Sequence, residues 1–305
     1  MKGLRVLVTG AAGFVGRHVV HHLLQAGAEP IGLVRTMSPG QEGQPFACVS
    51  ADLVNDPLDD LLHNLQPDAI IHCAGRTFAA DTDEGRAQLD ADNLAATTRL
   101  ISAAARMPES LRLVIVSSAA IWAPMPDDLS AIDETHPMRP VAAYGVSKAA
   151  ATLHALAEAD RLGLDLAVGV PFNVIGPGQP QRLVPQVFID TLRSRSGPLG
   201  VASGVVRDWV DVRDVAAALV GLARPNGPRG LFNIASGKGV DLHAMLEAVC
   251  RIGNWKADVD VAAQPASSGV SRSIGDCRRL HAATGWAPRI CLDDSLRDMI
   301  LPALR

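Results

Sequence analysis

The sequence predicts an α/β fold in which a doubly wound parallel sheet carries a smaller C-terminal lobe, and three observations predict it. Short runs rich in Val, Ile and Leu alternate with longer stretches of helical period through the first 170 residues. The short runs are apolar almost without interruption, as strands covered on both faces are. After Pro171 the alternation stops, and Gly and Pro cluster instead.

The elements follow in order. Leu4 to Val8 reads as the first strand and Gly13 to Ala26 as the first helix; Pro30 to Val34 is the second strand, and a third precedes Asp52. Ala69 to His72 and Leu113 to Ser117 continue the sheet on either side of a helix from Ala87 to Arg106, and a helix from Ala143 to Leu162 leads to a strand from Leu166 to Val170. Gly and Pro then gather in Gly176-Pro177-Gly178-Gln179-Pro180, in Gly197-Pro198 and from Pro225 to Gly230. We expect residues 1–171 to form the main domain, with 206–235 returning to its sheet as strand and helix. Residues 172–205 and 236–305 are expected to form the second lobe.

Composition narrows the function. Apolar residues make up 48% and charged ones 20%, which fits a chain that buries a full core. The 28 Lys and Arg against 32 Asp and Glu give a net charge of −4, and nothing in that balance asks for a nucleic acid. Five widely spread Cys, with no C-x-x-C pair and no zinc spacing, read as reduced thiols of a cytoplasmic protein and argue against a metal site. No apolar run approaches a membrane span, and the first residues do not read as a signal peptide.

The first strand runs into Thr9-Gly10-Ala11-Ala12-Gly13-Phe14-Val15-Gly16 and then a helix, the context of a dinucleotide-binding turn with G-x-x-G-x-x-G spacing. Gly10 permits the tight turn, Gly13 lets a pyrophosphate approach the backbone amides, and Gly16 allows close packing of helix on strand. The second strand ends Gly32-Leu33-Val34-Arg35-Thr36, with no carboxylate to accept the ribose hydroxyls of NAD. Arg35 suits a 2′-phosphate, so NADP(H) is favoured over NAD(H); a solvated Arg at a strand end is the alternative. Asp52, before Leu53, is placed to accept from an adenine amino group, or is an ordinary turn or N-cap Asp.

Tyr144, the chain's one Tyr, and Lys148, one of four Lys, stand at i and i+4 on one helical face. A neighbouring ammonium favours the phenolate, so this pairing is expected to lower the Tyr144 pKa and make it a general acid or base. The strand from Leu113 ends in Ser117-Ser118 at the sheet's carboxyl edge. Of the two we choose Ser118 as the hydroxyl that polarises a carbonyl. A nucleophilic serine would need a G-x-S-x-G elbow, which is absent.

With these motifs in order, the sequence resembles the extended short-chain dehydrogenase/reductase family, the NAD-dependent epimerases and dehydratases of nucleotide-sugars. The likeness extends over essentially the whole chain. It is carried further by Ile70-Ile71-His72-Cys73-Ala74-Gly75, by Asn93, by Pro171 to Gly178 and by Arg207 to Val215. The resemblance implies a Rossmann-type fold with a substrate-binding C-terminal lobe, and a homodimer joined through the helices near Ala87 to Arg106 and Ala143 to Leu162. For the cofactor it implies Phe14, Val15, Leu53, Ala74 and Pro171 beside Gly10, Gly13, Gly16, Arg35, Asp52, Tyr144 and Lys148. For a nucleotide-diphosphate sugar it implies Thr77, Ser118, Asn173, Arg207 and Arg272, with Asn173 and Arg207 on the diphosphate; for Arg207 a salt bridge with Asp208 or Asp211 is the alternative.

Within the family the chain is most similar to the GDP-4-keto-6-deoxy-D-mannose reductases, in Arg139-Pro140, in Asn173 to Gln179 and in Thr284-Gly285-Trp286-Ala287-Pro288-Arg289. It departs from the family at Ile121-Trp122-Ala123, where Tyr before Gly is common, and near Pro265-Ala266-Ser267, where those reductases carry an Arg-Pro pair and this chain has no Arg until Arg272. Ala119 and Ala120 occupy the positions where a 4,6-dehydratase resembling the family would have Asp and Glu, which disfavours dehydration. The expected reaction is NADPH-dependent reduction of the C4 ketone of a nucleotide-linked 4-keto-6-deoxyhexose. The alternatives are an NAD-dependent nucleotide-sugar 4-epimerase, a carbonyl reductase of a non-sugar ketone, and a non-catalytic NADP-binding sensor.

Overall fold

The computed structural model describes residues 1–37, 44–108, 111–260 and 270–301. Along the first half lie β1 (Arg5–Thr9), α1 (Phe14–Gln25), β2 (Glu29–Val34), β3 (Ala47–Ser50), α2 (Leu58–Leu65), β4 (Ala69–His72) and α3 (Asp83–Leu89). A π-helical turn (Asp90–Ala95) joins α3 to α4 (Ala96–Ala104), followed by β5 (Arg112–Val116), α5 (Ala143–Leu162) and β6 (Asp165–Pro171). The rest comprises β7 (Asn173–Ile175), α6 (Val184–Ser194), β8 (Leu199–Gly200), β9 (Val206–Asp211), α7 (Val212–Leu222), β10 (Gly230–Ile234) and β11 (Gly239–Asp241). It closes with α8 (Leu242–Gly253), β12 (Val259–Asp260), β13 (Arg272–Ser273), α9 (Arg278–Thr284) and α10 (Leu292–Ile300).

Seven parallel strands form one sheet in the order β10-β6-β5-β4-β1-β2-β3. Alternation along each strand feeds two cores: Leu7 and Ile70 pack toward α2 and α4, whereas Val6, Val8 and Ile71 pack toward α1 and α7. The fold is therefore the doubly wound α/β sheet that the sequence predicts. The strand order reverses between β1 and β4, so a crevice opens beyond their carboxyl ends.

The segment after Arg207 departs from expectation. β9 does not return to the main sheet; it pairs with β11, β13 and β7 in a second sheet, while α7 packs on α1 and β10 becomes the seventh strand of the main sheet. Charge decides the difference. β10 brings Leu231, Phe232 and Ile234, all buried, whereas β9 brings Arg207, Asp208 and Asp211, which a strand covered on both faces cannot hold without dedicated partners. In the second sheet those partners exist: Asp208 accepts from Ser236 N and Oγ, Gly237 N and Gly275 N at 2.6–3.1 Å. A third core, including Ile175, Phe188, Leu246 and Leu296, holds this lobe together.

The helix expected from Ala87 to Arg106 begins at Asp83 and is widened by the π turn. The turn rotates Asn93 inward, where its Oδ1 accepts from Arg76 N at 2.8 Å and its Nδ2 donates to Arg76 O and Ser147 Oγ, both at 2.9 Å. Among the described residues no helix is long and apolar enough to cross a membrane, and no group of three or more His, Cys, Asp or Glu is placed to hold a metal ion.

Candidate active site

The glycine turn leaves space where side chains would fill it. Gly10 has φ +65°, and a Cβ there would lie 2.8 Å from Ala74 Cα and N; a Cβ on Gly16 would lie 2.1 Å from Gly10 O. Helix α1 starts with no side-chain cap on its first amides and no acidic residue in its first turn. Its N–H groups and dipole are thus available to an anion, which fits the pyrophosphate of a dinucleotide. Ala74, beside this turn, is fixed by its own N–H, which donates to Thr9 Oγ1 at 3.1 Å. Thr9 in turn meets Nδ1 of His72 at 2.7 Å, and His72 Nε2 meets Thr97 Oγ1 at 3.0 Å. Burial and the Lys148 charge push the His72 pKa down to about 3, so this link between β4 and α4 is a neutral imidazole.

A cavity of 430 Å³ opens beyond the carboxyl ends of β4, β5 and β6. Its wall brings together Phe14, Val15, Ala74, Thr77, Ser118, Tyr144, Lys148, Pro171, Asn173, Arg207 and Arg272 from the residues singled out in the sequence. Arg76, Trp122 and Trp209 also line it, and no Asp or Glu lies on it among the described residues. Trp122 and Trp209 are buried, and their indole N–H groups have no hydrogen-bond partner. Arg207 donates from Nη1 to Val206 O and Ser271 O and from Nη2 to Val270 O, at 2.8–3.1 Å. The alternative salt-bridge acceptors are engaged elsewhere: Asp208 by loop amides and Asp211 by Arg213 and Ser295. Arg272 donates to Asp127 O at 3.2 Å.

Both serines after β5 line the cavity, but their hydroxyls are engaged differently. Ser117 is buried, and its Oγ meets Thr152 Oγ1 at 2.6 Å inside the packing of α5. Ser118 faces the cavity, caps the short 3-10 turn Ala119–Ile121 and hydrogen-bonds the Tyr144 hydroxyl. The expectation that the neighbouring Lys148 ammonium lowers the Tyr144 pKa is corrected, because that pKa is raised: burial penalises the phenolate, and the Ser118 hydrogen bond offsets this only in part. Lys148 is itself buried. Its Nζ donates to Val116 O at 2.5 Å, and desolvation pushes its pKa down to about 8. Cys73, on the same wall, is pushed up to about 12 by burial and stays a thiol.

The residues assigned to the adenosine end lie outside this cavity. Asp52 spends its carboxylate on its own turn, accepting from Val54 N and Asn55 Nδ2 at 2.9 Å, and these bonds lower its pKa. The Leu53 side chain is part of the core, and its carbonyl accepts from Arg99 Nε at 3.0 Å. Arg35, at the end of β2, pairs with Asp92 of the π turn, Nη2 to Oδ1 at 2.7 Å. Asp92 Oδ2 also takes Arg76 Nε at 2.7 Å. Sequence reasoning missed Asp92 and Arg76; the only available signal was their nearness to Asn93 and to the end of β4. The segment Pro265-Ala266-Ser267 falls outside the described residues.

Comparison with known proteins places this geometry among relatives. The family described as the NAD dependent epimerase/dehydratase family matches residues 6–235. The GDP-6-deoxy-D-mannose reductase of Pseudomonas aeruginosa is 30% identical, with 97% of this chain and 96% of that protein covered. The UDP-glucose 4-epimerase of Mycolicibacterium smegmatis is 27% identical, with 96% of each covered. Among solved structures, the UDP-glucose 4-epimerase of Thermus thermophilus in complex with NAD superposes with a TM-score of 0.87 at 26% identity, covering 97% of this chain and 98% of that one.

Proposed function

The chain belongs to the NAD dependent epimerase/dehydratase family, and we propose that it reduces the C4 ketone of a nucleotide-linked 4-keto-6-deoxyhexose with NADPH. One observation carries this reading: Ser118, Tyr144 and Lys148 share a cavity with Arg76, Arg207 and Arg272, and no carboxylate lies on its wall among the described residues. Three guanidiniums suit a diphosphate. Ala119 and Ala120 leave the site without the acid and base that elimination of water across C5 and C6 needs. Together with Trp122 and Ala123 they form an apolar stretch that accepts a C6 methyl group more readily than a hydroxyl or carboxylate.

When bound, the nicotinamide supplies the hydride. Tyr144 delivers the proton to the oxygen at C4, and its raised pKa keeps that proton in place at neutral pH, the state a donor requires. Ser118 hydrogen-bonds both the Tyr144 hydroxyl and the ketone oxygen, aligning donor and acceptor. The Lys148 ammonium sits behind them on Val116 O and favours negative charge as it develops. Asn173 and Arg207 grip the remote diphosphate, so that binding energy is spent on orientation. Arg35 supports NADPH, and the relative from Pseudomonas supports a GDP-linked sugar. The exposed Val146 and Leu153 of α5 support a homodimer through that helix. A cytoplasmic setting agrees with the free thiols.

A 4-epimerase is the second reading, favoured by the epimerase relatives. Reduction with NADPH deuterated at nicotinamide C4 separates the two. Deuterium at C4 of the sugar, read by mass spectrometry with one NADP formed per product, is the expected result. Interconversion of sugars without net consumption of cofactor would assign the epimerase.

A further inference from the structure

Asp92 joins two places that the chain keeps far apart. Its carboxylate, 13% exposed, takes Arg35 at the end of β2 through Oδ1 and Arg76 on the cavity wall through Oδ2. Both residues are anchored through their backbones, while the Arg35 side chain itself is 59% exposed. The Arg35 carbonyl accepts from Ser50 Oγ at 2.9 Å, and the Arg76 backbone is held from both sides by Asn93. In an ordinary helix, consecutive side chains point about 100° apart. Here the widened turn directs Asp92 and Asn93 onto the same residue, one at its guanidinium and the other at its backbone.

We propose that Asp92 sets this protein's choice between NADPH and NADH by competing with the cofactor for Arg35. The proposal rests on the reading that Arg35 faces the 2′ position of the adenosine ribose. A 2′-phosphate brings between one and a half and two negative charges. It gains the Arg35 fork only by sharing or displacing Asp92, and it then stands beside that carboxylate, a like charge. A 2′-hydroxyl meets no such opposition and finds in a carboxylate an acceptor, the role that an acidic residue at the end of β2 plays in NAD sites. Asp92, brought in from the π turn, thus supplies the carboxylate that β2 lacks and keeps the NADPH preference weaker than Arg35 alone would give. Arg76 moderates the competition by holding part of the Asp92 charge.

The test is equilibrium binding of NADPH, NADH and 2′,5′-ADP to the full-length protein, by calorimetry, without turnover. Asp92→Asn should tighten NADPH and 2′,5′-ADP by about tenfold, a modest coupling between neighbouring groups, and leave NADH within twofold or weaker. Asp92→Glu should keep the parental ratio. Arg76→Met, which leaves the whole Asp92 charge on Arg35, should shift the ratio toward NADH and serves as the independent check if Asp92→Asn does not fold. Arg35→Ala should erase the preference for 2′,5′-ADP, and Asp92→Asn added to it should restore nothing. An NADPH-to-NADH ratio unmoved by both Asp92→Asn and Arg76→Met, with Arg35→Ala still lowering it, overturns the proposal alone. A ratio unmoved by Arg35→Ala overturns the reading of Arg35 and the proposal with it.

Discussion

The ammonium of Lys148 donates to the carbonyl oxygen of Val116, at 2.5 Å, and thereby ties the middle of the candidate active-site cluster to the last residue of β5. Ser117 and Ser118 follow that residue directly, so the position of the Ser118 hydroxyl depends on a buried cation one helix away. Burial holds the Lys148 pKa at about 8, against an unfolded value of about 10.4. The unfolded chain therefore binds the proton more tightly, and stability rises with pH between those two values.

Lys148→Met removes the cost of that buried charge. At pH 7 the variant should be more stable than the parent by about 1–3 kcal/mol, read as a raised Tm, and the difference should close between pH 8 and pH 10. Activity should be lost. A difference that stays constant across that range would contradict the placement of the ammonium.

Ser118→Ala and Ser117→Ala should fail in opposite ways. The first removes the hydrogen bond to Tyr144 and the polarising hydroxyl, and should cut kcat about 100-fold with Tm unchanged. The second breaks the buried contact with Thr152 and should cost about 1–2 kcal/mol in denaturant unfolding, with a smaller effect on kcat. Equal kinetic losses would undo the distinction.

Arg207→Ala should raise KM for the nucleotide-linked ketone by roughly 10- to 100-fold, the worth of hydrogen bonds to a charged group. A simple ketone lacking the nucleotide should be turned over poorly, and equally by parent and variant. If the parent reduces the simple ketone as efficiently as the nucleotide-linked one, the diphosphate has no part in recognition.

Gly10→Ala places a Cβ 2.8 Å from the Ala74 backbone at a φ of +65°. The chain should still fold, because the clash is confined to the turns that follow β1 and β4 at their carboxyl ends, but dinucleotide binding measured by calorimetry should disappear. Retained binding would place the cofactor elsewhere.

Much of this was legible from residue order. The continuous apolar runs specified a sheet buried on both faces, the glycine spacing specified the first turn, and the helical period put Tyr144 and Lys148 on one face. What was hidden depended on burial and on long-range contact. The sign of the Tyr144 shift reversed because burial raises its pKa and the opposing influence is the Ser118 hydrogen bond, not the Lys148 ammonium on which the sequence reading relied. β9 and β10 are both short strand-like runs, and only the need to satisfy Asp208 and Asp211 sends the first to the smaller sheet. The carboxylate at the end of β2 could not be read from β2 at all, since it arrives from a π turn 57 residues further along the chain.

The most direct test of the central claim follows reduced nicotinamide by its near-ultraviolet absorbance while GDP-4-keto-6-deoxymannose is generated in situ. The account predicts consumption of NADPH, faster than that of NADH, matched by formation of the 4-hydroxy sugar and abolished in Tyr144→Phe with NADPH binding retained. No consumption of either nucleotide, together with a cofactor released only when the protein is denatured, would contradict it.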